Sequence, residues 1–165
     1  MERITKEYEV YRFEELDKEI QKKLLEEEKE NQYQFYIDTC LYDDMKEEAQ
    51  RLLEKYFKGK AEYINVYYSL SWNQGDGAMI EFDLCYYNKY IKIRHNGWYY
   101  HSRSFTIEDY YLTEKQEEQL KNKIIKMNEE LEEIGWKLVS YEPEDEFCID
   151  YLKEHKYLKN GEVFE

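Results

Sequence analysis

Apolar positions along this chain change period several times, and each change marks an element. Residues 7–13 (Glu-Tyr-Glu-Val-Tyr-Arg-Phe) alternate and predict a short strand. From Phe13 the spacing becomes four. Leu16, Ile20 and Leu24 share one helical face against a Glu/Lys-rich outer face, which predicts a helix to about residue 30. Residues 31–42 hold Tyr33, Phe35 and Tyr36 and either continue the helix or bend. A second helix follows from Met45, Ala49, Leu52, Leu53 and Tyr56, with Asp43 or Asp44 as its cap and Gly59 at the turn beyond its C-terminus.

The middle of the chain reads as β. Over 62–72, Ile64, Val66, Tyr68, Leu70 and Trp72 share one face. Over 78–86, Ala78, Ile80, Phe82 and Leu84 do the same, opposed by Met79, Glu81 and Asp83. Residues 73–77 join the two strands, with Gly75 and Gly77 free to take positive φ. Strands 89–95 and 98–107 flank Asn96-Gly97, the pair preferred in a type I′ hairpin. That register sets His95 against Trp98, Ile93 against Tyr100 and Ile91 against Ser102. It leaves Tyr90, Lys92, Arg94, Tyr99, His101 and Arg103 on one basic, aromatic face, and the segment 84–107 contains no acid.

The last third returns to helix. Thr113-x-x-Gln116 has the form of a capping box. Leu120, Ile124, Met127, Leu131, Ile134, Leu138 and Tyr141 then step by three and four. Gly135 interrupts the stripe as a weak point, and the stripe offers a surface for a homodimer. Pro143 suits the first turn of a short helix over 143–154, and 156–164 predicts a small terminal hairpin or strand. The expected architecture is one α+β domain over 1–165. It is an antiparallel sheet of four or five strands, 7–12 being the uncertain fifth, packed against helices on one face and followed by a long C-terminal helix.

Composition narrows the function classes. No segment approaches the ~20 apolar residues of a membrane span, and no leader peptide is expected at the start. Cys40, Cys85 and Cys148 are odd in number and far apart. They read as core fillers in a reducing cytoplasm rather than as a disulfide framework. The net charge is −14, a field that repels a phosphate backbone, argues against duplex binding and attracts basic surfaces. Carboxylates crowd 129–154, where Glu129, Glu130, Glu132, Glu133, Glu142, Glu144, Asp145 and Glu146 form the candidate partner-binding set.

Catalytic chemistry is weakly signalled. Gln74-Gly75-Asp76-Gly77 is neither a P-loop nor an EF-hand, so it is a turn, or a loop binding a ligand or cation through backbone N–H groups and Asp76. His95, His101 and His155 match no zinc spacing, and no metal or cofactor is expected. Glu81, Asp83 and His101 could cluster for phosphodiester chemistry, or form an ordinary polar sheet face.

Several segments together resemble a family of uncharacterised proteins encoded by phages, prophages and plasmids. They are the strand-leading Val10-Tyr11-Arg12-Phe13-Glu14-Glu15-Leu16, the Ser-x-x-Gln-Gly-Asp-Gly-Ala turn (Ser71 and Gln74 to Ala78), the strand Tyr99-Tyr100-His101-Ser102 and the ending Tyr157-Leu158-Lys159-Asn160-Gly161. The chain departs from that pattern after the turn, at Met79-Ile80-Glu81-Phe82-Asp83. The resemblance implies a mobile-element origin and an α+β fold, and carries no catalytic residue over. With the charge, it points to a non-enzymatic inhibitor of a host defence nuclease, anti-CRISPR or anti-restriction, acting on a basic nucleic-acid-binding surface. The alternatives are an antitoxin-like binder of a toxin, and a single-stranded nucleic-acid or nucleotide binder using hairpin 89–103.

Overall fold

The computed structural model describes residues 1–108 and 111–164. Its elements run β1 (Tyr11–Arg12), a 3-10 turn (Phe13–Glu15), α1 (Lys18–Phe35), a π-helical turn (Tyr36–Cys40), α2 (Leu41–Phe57), β2 (Ala61–Ser69), β3 (Gly77–Tyr86), β4 (Lys89–His95), β5 (Phe105–Glu108), α3 (Glu114–Val139), α4 (Asp145–Lys153) and β6 (Lys156–Tyr157). The class is α+β. One sheet is antiparallel in the order β2-β3-β4-β5, and β1 pairs with β6 in a separate ladder. The chain forms two compact units, one from Ile37 to Ser140 and one from Met1–Tyr36 together with Tyr141 onward.

The central unit is built on β3. Ala78, Ile80, Phe82 and Leu84 are buried on its apolar face, in line with Ile91 and Ile93 of β4. Helices α2 and α3 cover that face with Met45, Ala49, Leu52 and Leu53 from one and Leu120, Ile124, Met127 and Leu131 from the other. Fully burying side chains of this kind contributes about 1.5–3 kcal/mol each. The opposite face is not bare, since Met79, in register with Tyr67 of β2, is also wholly buried. Thr113 caps α3 with the expected reciprocal box: its side chain accepts from Gln116 N, and the Gln116 side chain accepts from Thr113 N. Leu120, Ile124, Met127 and Leu131 of the α3 stripe are buried in this core, whereas Ile134 and Leu138 are half-buried and Tyr141 is exposed.

Gly135 proves to be a contact point rather than a defect. A Cβ there would lie 2.6 Å from Leu70 Cδ1 and 3.2 Å from the Met45 sulfur. The absent methyl lets Leu70 and Met45 pack onto α3, which offsets the helix-propensity penalty of about 1 kcal/mol.

Four expectations change here. β2 does not alternate from end to end, because a bulge between Glu62 and Asn65 puts Tyr63 at φ 55°. Asp43 and Asp44 sit in the first turn of α2, where Cys40 is the cap residue. They complement the helix dipole without capping it. Lys58, not Gly59 alone, takes the left-handed conformation at the end of α2. The Asn96-Gly97 hairpin is absent. β4 instead pairs with β5 through His95–Phe105, Arg94–Thr106 and Ile93–Ile107, which leaves 96–104 as a loop. The two-residue turn lies one hairpin earlier, at Tyr87-Asn88, with φ of 50° and 59° between the paired Tyr86 and Lys89.

The other unit holds a smaller core of Phe13, Leu16, Leu152 and Tyr157, with Ile20, Leu24 and Ile149 packed on it. Tyr157 OH donates to Leu152 O at 2.6 Å. The terminal hairpin forms, bridging Tyr157 to Val163. The N-terminal strand is confined to Tyr11–Arg12 and pairs with Tyr157 and Lys156, so it is not a fifth strand of the main sheet.

Candidate functional site

The Ser71–Ala78 turn is organised by one carboxylate. Asp76 Oδ1 accepts from Ser69 Oγ at 2.9 Å and Ser71 Oγ at 3.2 Å. Its Oδ2 accepts from Ser71 N at 3.0 Å and Asn73 N at 2.8 Å. With both oxygens engaged by the loop itself, Asp76 has little capacity left for a cation. Burial raises its pKa, but the Asn73 and Ser71 N–H groups and the Ser69 and Ser71 hydroxyls outweigh that, and the net direction is down. A carboxyl held below its unfolded value adds stability above that value and loses it as pH falls through the folded pKa. The turn is therefore expected to weaken below about pH 4. Asp76→Asn should flatten the acid limb of a plot of urea midpoint against pH between 3 and 7. An unchanged limb would show that the carboxylate does not organise the turn.

Gly75 and Gly77 are not at positive φ. What they allow is close approach. A Cβ on Gly77 would fall 2.4 Å from Tyr100 O and 2.9 Å from His101 Cα, and one on Gly75 would touch the Tyr99 ring at 3.4 Å. Loop 96–104 thus crosses the turn with its own backbone. It is closed by Asn96 N to Ser104 O, Ser104 N to His101 O and His101 N to Ser104 Oγ. Asn128 of α3 locks it from the helix side, donating to Ser102 O at 3.0 Å. The Gln-Gly-Asp-Gly turn and the Tyr-x-His-Ser segment, far apart in sequence, are therefore one structural knot. Gln74 lies on its exposed rim, and Trp72 packs against Trp136 with ring centroids 4.2 Å apart and planes tilted by 34°.

His101 Nε2 is buried there without a hydrogen-bond partner. Its charge interaction is with Glu132, which is half-buried. Burial pushes the Glu132 pKa up and His101 opposes this, while Asp76, Glu129 and Glu133 reinforce it. Sequence spacing gave no hint of this pair, because Glu132 reads as one more surface acid of a charged helix. Glu81 and Asp83 do not join His101. Glu81 accepts from His95 N at 3.0 Å, and Asp83 is 5% exposed and held elsewhere.

The basic, aromatic hairpin face does not exist as drawn. Tyr90, Lys92 and Arg94 lie on β4, whereas Tyr99, His101 and Arg103 belong to the crossing loop. Arg94 is bound to Asp83 at 2.5 Å, and Tyr90 OH donates to the same carboxylate at 2.6 Å. Burial raises the Asp83 pKa, but Tyr90 and Arg94 more than reverse that and hold it low. Lys92 faces Asp83 and Glu108 across the strands. Arg94→Ala would strand a buried carboxylate, so it tests stability rather than nucleic-acid binding. Tyr99 and Arg103 are exposed.

The acidic set is divided. Glu129, Glu130, Glu132 and Glu133 lie on α3 in the central unit, and Glu142, Glu144, Asp145 and Glu146 lie in the other. Glu130 pairs with Lys55 at 3.0 Å and Asp145 with Lys29 at 2.8 Å. Glu129, Glu133, Glu144 and Glu146 are exposed and form no ion pair among the described residues.

The three histidines stay apart, with His95 stacked on Tyr67 at 4.6 Å and His155 against Tyr151. Among the described residues no group of three His, Cys, Asp or Glu side chains is placed to hold a metal ion. Only Cys148 of the cysteines is a core filler, and burial pushes its thiol pKa up, whereas Cys85 is exposed. No helix among the described residues is long and apolar enough to cross a membrane. Comparison with protein-family models, with curated proteins and with solved structures returned no match.

Proposed function

We propose that this is an acidic interaction protein of a mobile genetic element that inhibits a host defence nuclease, of the CRISPR or restriction class, by occupying its basic nucleic-acid-binding surface. The observation that carries the reading is the net charge of −14 together with the unpaired, exposed Glu129 and Glu133 on α3 and Glu144 and Glu146 at α4. Lys- and Arg-lined channels are complementary to such carboxylates, which speed association in a salt-sensitive way. Glu130, Glu132 and Asp145 contribute less. Glu130 and Asp145 are already neutralised within the protein, and Glu132 is half-buried.

The test uses two charge-reversal variants, Glu129→Lys/Glu133→Lys and Glu144→Lys/Glu146→Lys, against a panel of purified Cas effector and restriction nucleases. At least one variant should weaken inhibition about tenfold, equivalent to about 1.4 kcal/mol. The parent's inhibition should fall steeply with salt. If both variants inhibit as well as the parent, or no nuclease is inhibited, the reading is wrong.

A further inference from the structure

The end of α2 and the β3–β4 turn meet around a cavity of about 390 Å³ in the central unit. Its charge is opposite to that of the protein. Lys58, Lys60 and Lys123 line it, and no carboxylate does. None of the three ammonium groups forms an ion pair among the described residues. Two carboxylates lie near these lysines without pairing with them. Glu54 lies against Gly59, and Glu130 is held by Lys55 and accepts from Tyr56. In a chain of net charge −14, three uncompensated cations around one concavity form a local anion trap.

Two left-handed turns border it. Lys58 and Gly59 on one side, and Tyr87 and Asn88 on the other, all lie at positive φ, between 50° and 76°. Left-handed backbone at Lys and Tyr is costly, and such residues gather at ligand sites. The apolar floor is Phe57 and Leu84, buried at 6% and 1% exposure. Lys123 Nζ lies over the Phe57 ring at 4.8 Å. Tyr86 and Tyr87 stand edge to face at 4.6 Å, and Tyr87 is exposed. Flat apolar walls next to cations suit a ligand that carries both an aromatic ring and a phosphate.

We propose that this pocket is a nucleotide site, with the phosphate on Lys58, Lys60 and Lys123 and the base against Tyr86 and Tyr87. Its volume falls in the usual range for small-molecule sites, about 300–1,000 Å³. An extended strand is disfavoured by the acidic surroundings, so the nucleotide is free or is the 5′-phosphorylated end of a strand. The site is independent of the acidic residues proposed above to meet a nuclease.

The four ribonucleoside 5′-monophosphates, adenosine, inorganic phosphate, and a tetranucleotide with and without a 5′-phosphate would each be titrated into the full chain, read by amide NMR shifts and calorimetry. At least one monophosphate should bind saturably and shift Tyr86 and Tyr87. Adenosine and inorganic phosphate should each bind at least tenfold more weakly. Lys60→Gln/Lys123→Gln, which keeps apolar stems, should weaken binding at least tenfold, and Lys60→Gln alone should weaken it to a smaller extent. Lys22→Gln/Lys23→Gln on α1 should change nothing. Tighter binding of the phosphorylated tetranucleotide than of any monophosphate assigns the strand end as the source, and the reverse assigns the free nucleotide. No saturable binding of any monophosphate or of the phosphorylated tetranucleotide, phosphate binding as tightly as the nucleotides, or indifference to both pocket lysine variants overturns the proposal.

Discussion

Replacing Asn128 by Leu is expected to destabilise the protein by about 3 kcal/mol, read as a lower urea midpoint with an unchanged m-value. The side chain is completely buried in the apolar face of α3, where the residue pattern alone would ask for Leu. Its Oδ1 accepts from Ile80 N at 3.0 Å, and its Nδ2 donates to Ser102 O at 3.0 Å. The need for it comes from the sheet. The β3–β4 ladder runs only from Phe82 to Tyr86 on β3, so the amide supplies Ile80 N–H with a partner that the ladder does not. Leucine, which has the same branched heavy-atom skeleton but bulkier methyl groups, would leave Ile80 N–H and Ser102 C=O unpaired in the interior, at about 1–3 kcal/mol each, offset in part by its own burial. Asn128→Asp should fare no better, because it keeps the acceptor but loses the donor and buries a charge. A Leu variant within 0.5 kcal/mol of the parent, inside the usual range for neutral surface changes, would mean that water or a local shift satisfies both groups.

What could be read from the sequence was what depends on neighbours in the chain. Thr113 and Gln116 are three residues apart, and their box formed as expected. The four-residue stripes placed α1, α2 and α3, and alternation placed β3 and β4. What failed depended on partners far away. Asn96-Gly97 carries the local signature of a tight hairpin, but Phe105 and Ile107 are the residues that complete the sheet beside His95 and Ile93, and burying them outweighed the turn preference. The basic face was a product of that register and disappeared with it. Arg94 and Tyr90 were legible as types but not as partners of Asp83, because cross-strand pairing cannot be read until register is known. The acidic block was legible as charge, but not its division between two units or the ion pairs that neutralise Glu130 and Asp145. The lysine-lined pocket had no signal at all, because Lys58, Lys60 and Lys123 come together only after α2, β3 and α3 have packed.

Gly77→Ala is expected to cost about 3 kcal/mol, and its sign separates two explanations of the Gly-Asp-Gly turn. If the glycine were there for chain freedom, its φ would lie in the left-handed region, and it does not. An alanine compatible with the backbone would then stabilise the protein by about 0.4–1 kcal/mol, through the entropy of the unfolded chain. Sterics predict the opposite. The added methyl would sit 2.4 Å from Tyr100 O, 2.9 Å from His101 Cα and 3.3 Å from Tyr100 C. All three are backbone atoms of a loop pinned by Asn128 and Ser104, so no side-chain rotation relieves the clash. Gly75 is the internal comparison. Its methyl would meet only the Tyr99 side chain, at 3.4 Å, an ordinary van der Waals separation on a residue that is 68% exposed. Gly75→Ala should therefore stay within about 0.5 kcal/mol of the parent. The loop that Gly77 admits also carries His101, so Gly77→Ala should move the NMR chemical shifts of the His101 ring more than Gly75→Ala does. A Gly77→Ala protein as stable as the parent would show that the crossing of loop 96–104 over the turn is loose, and that the two motifs do not form one unit.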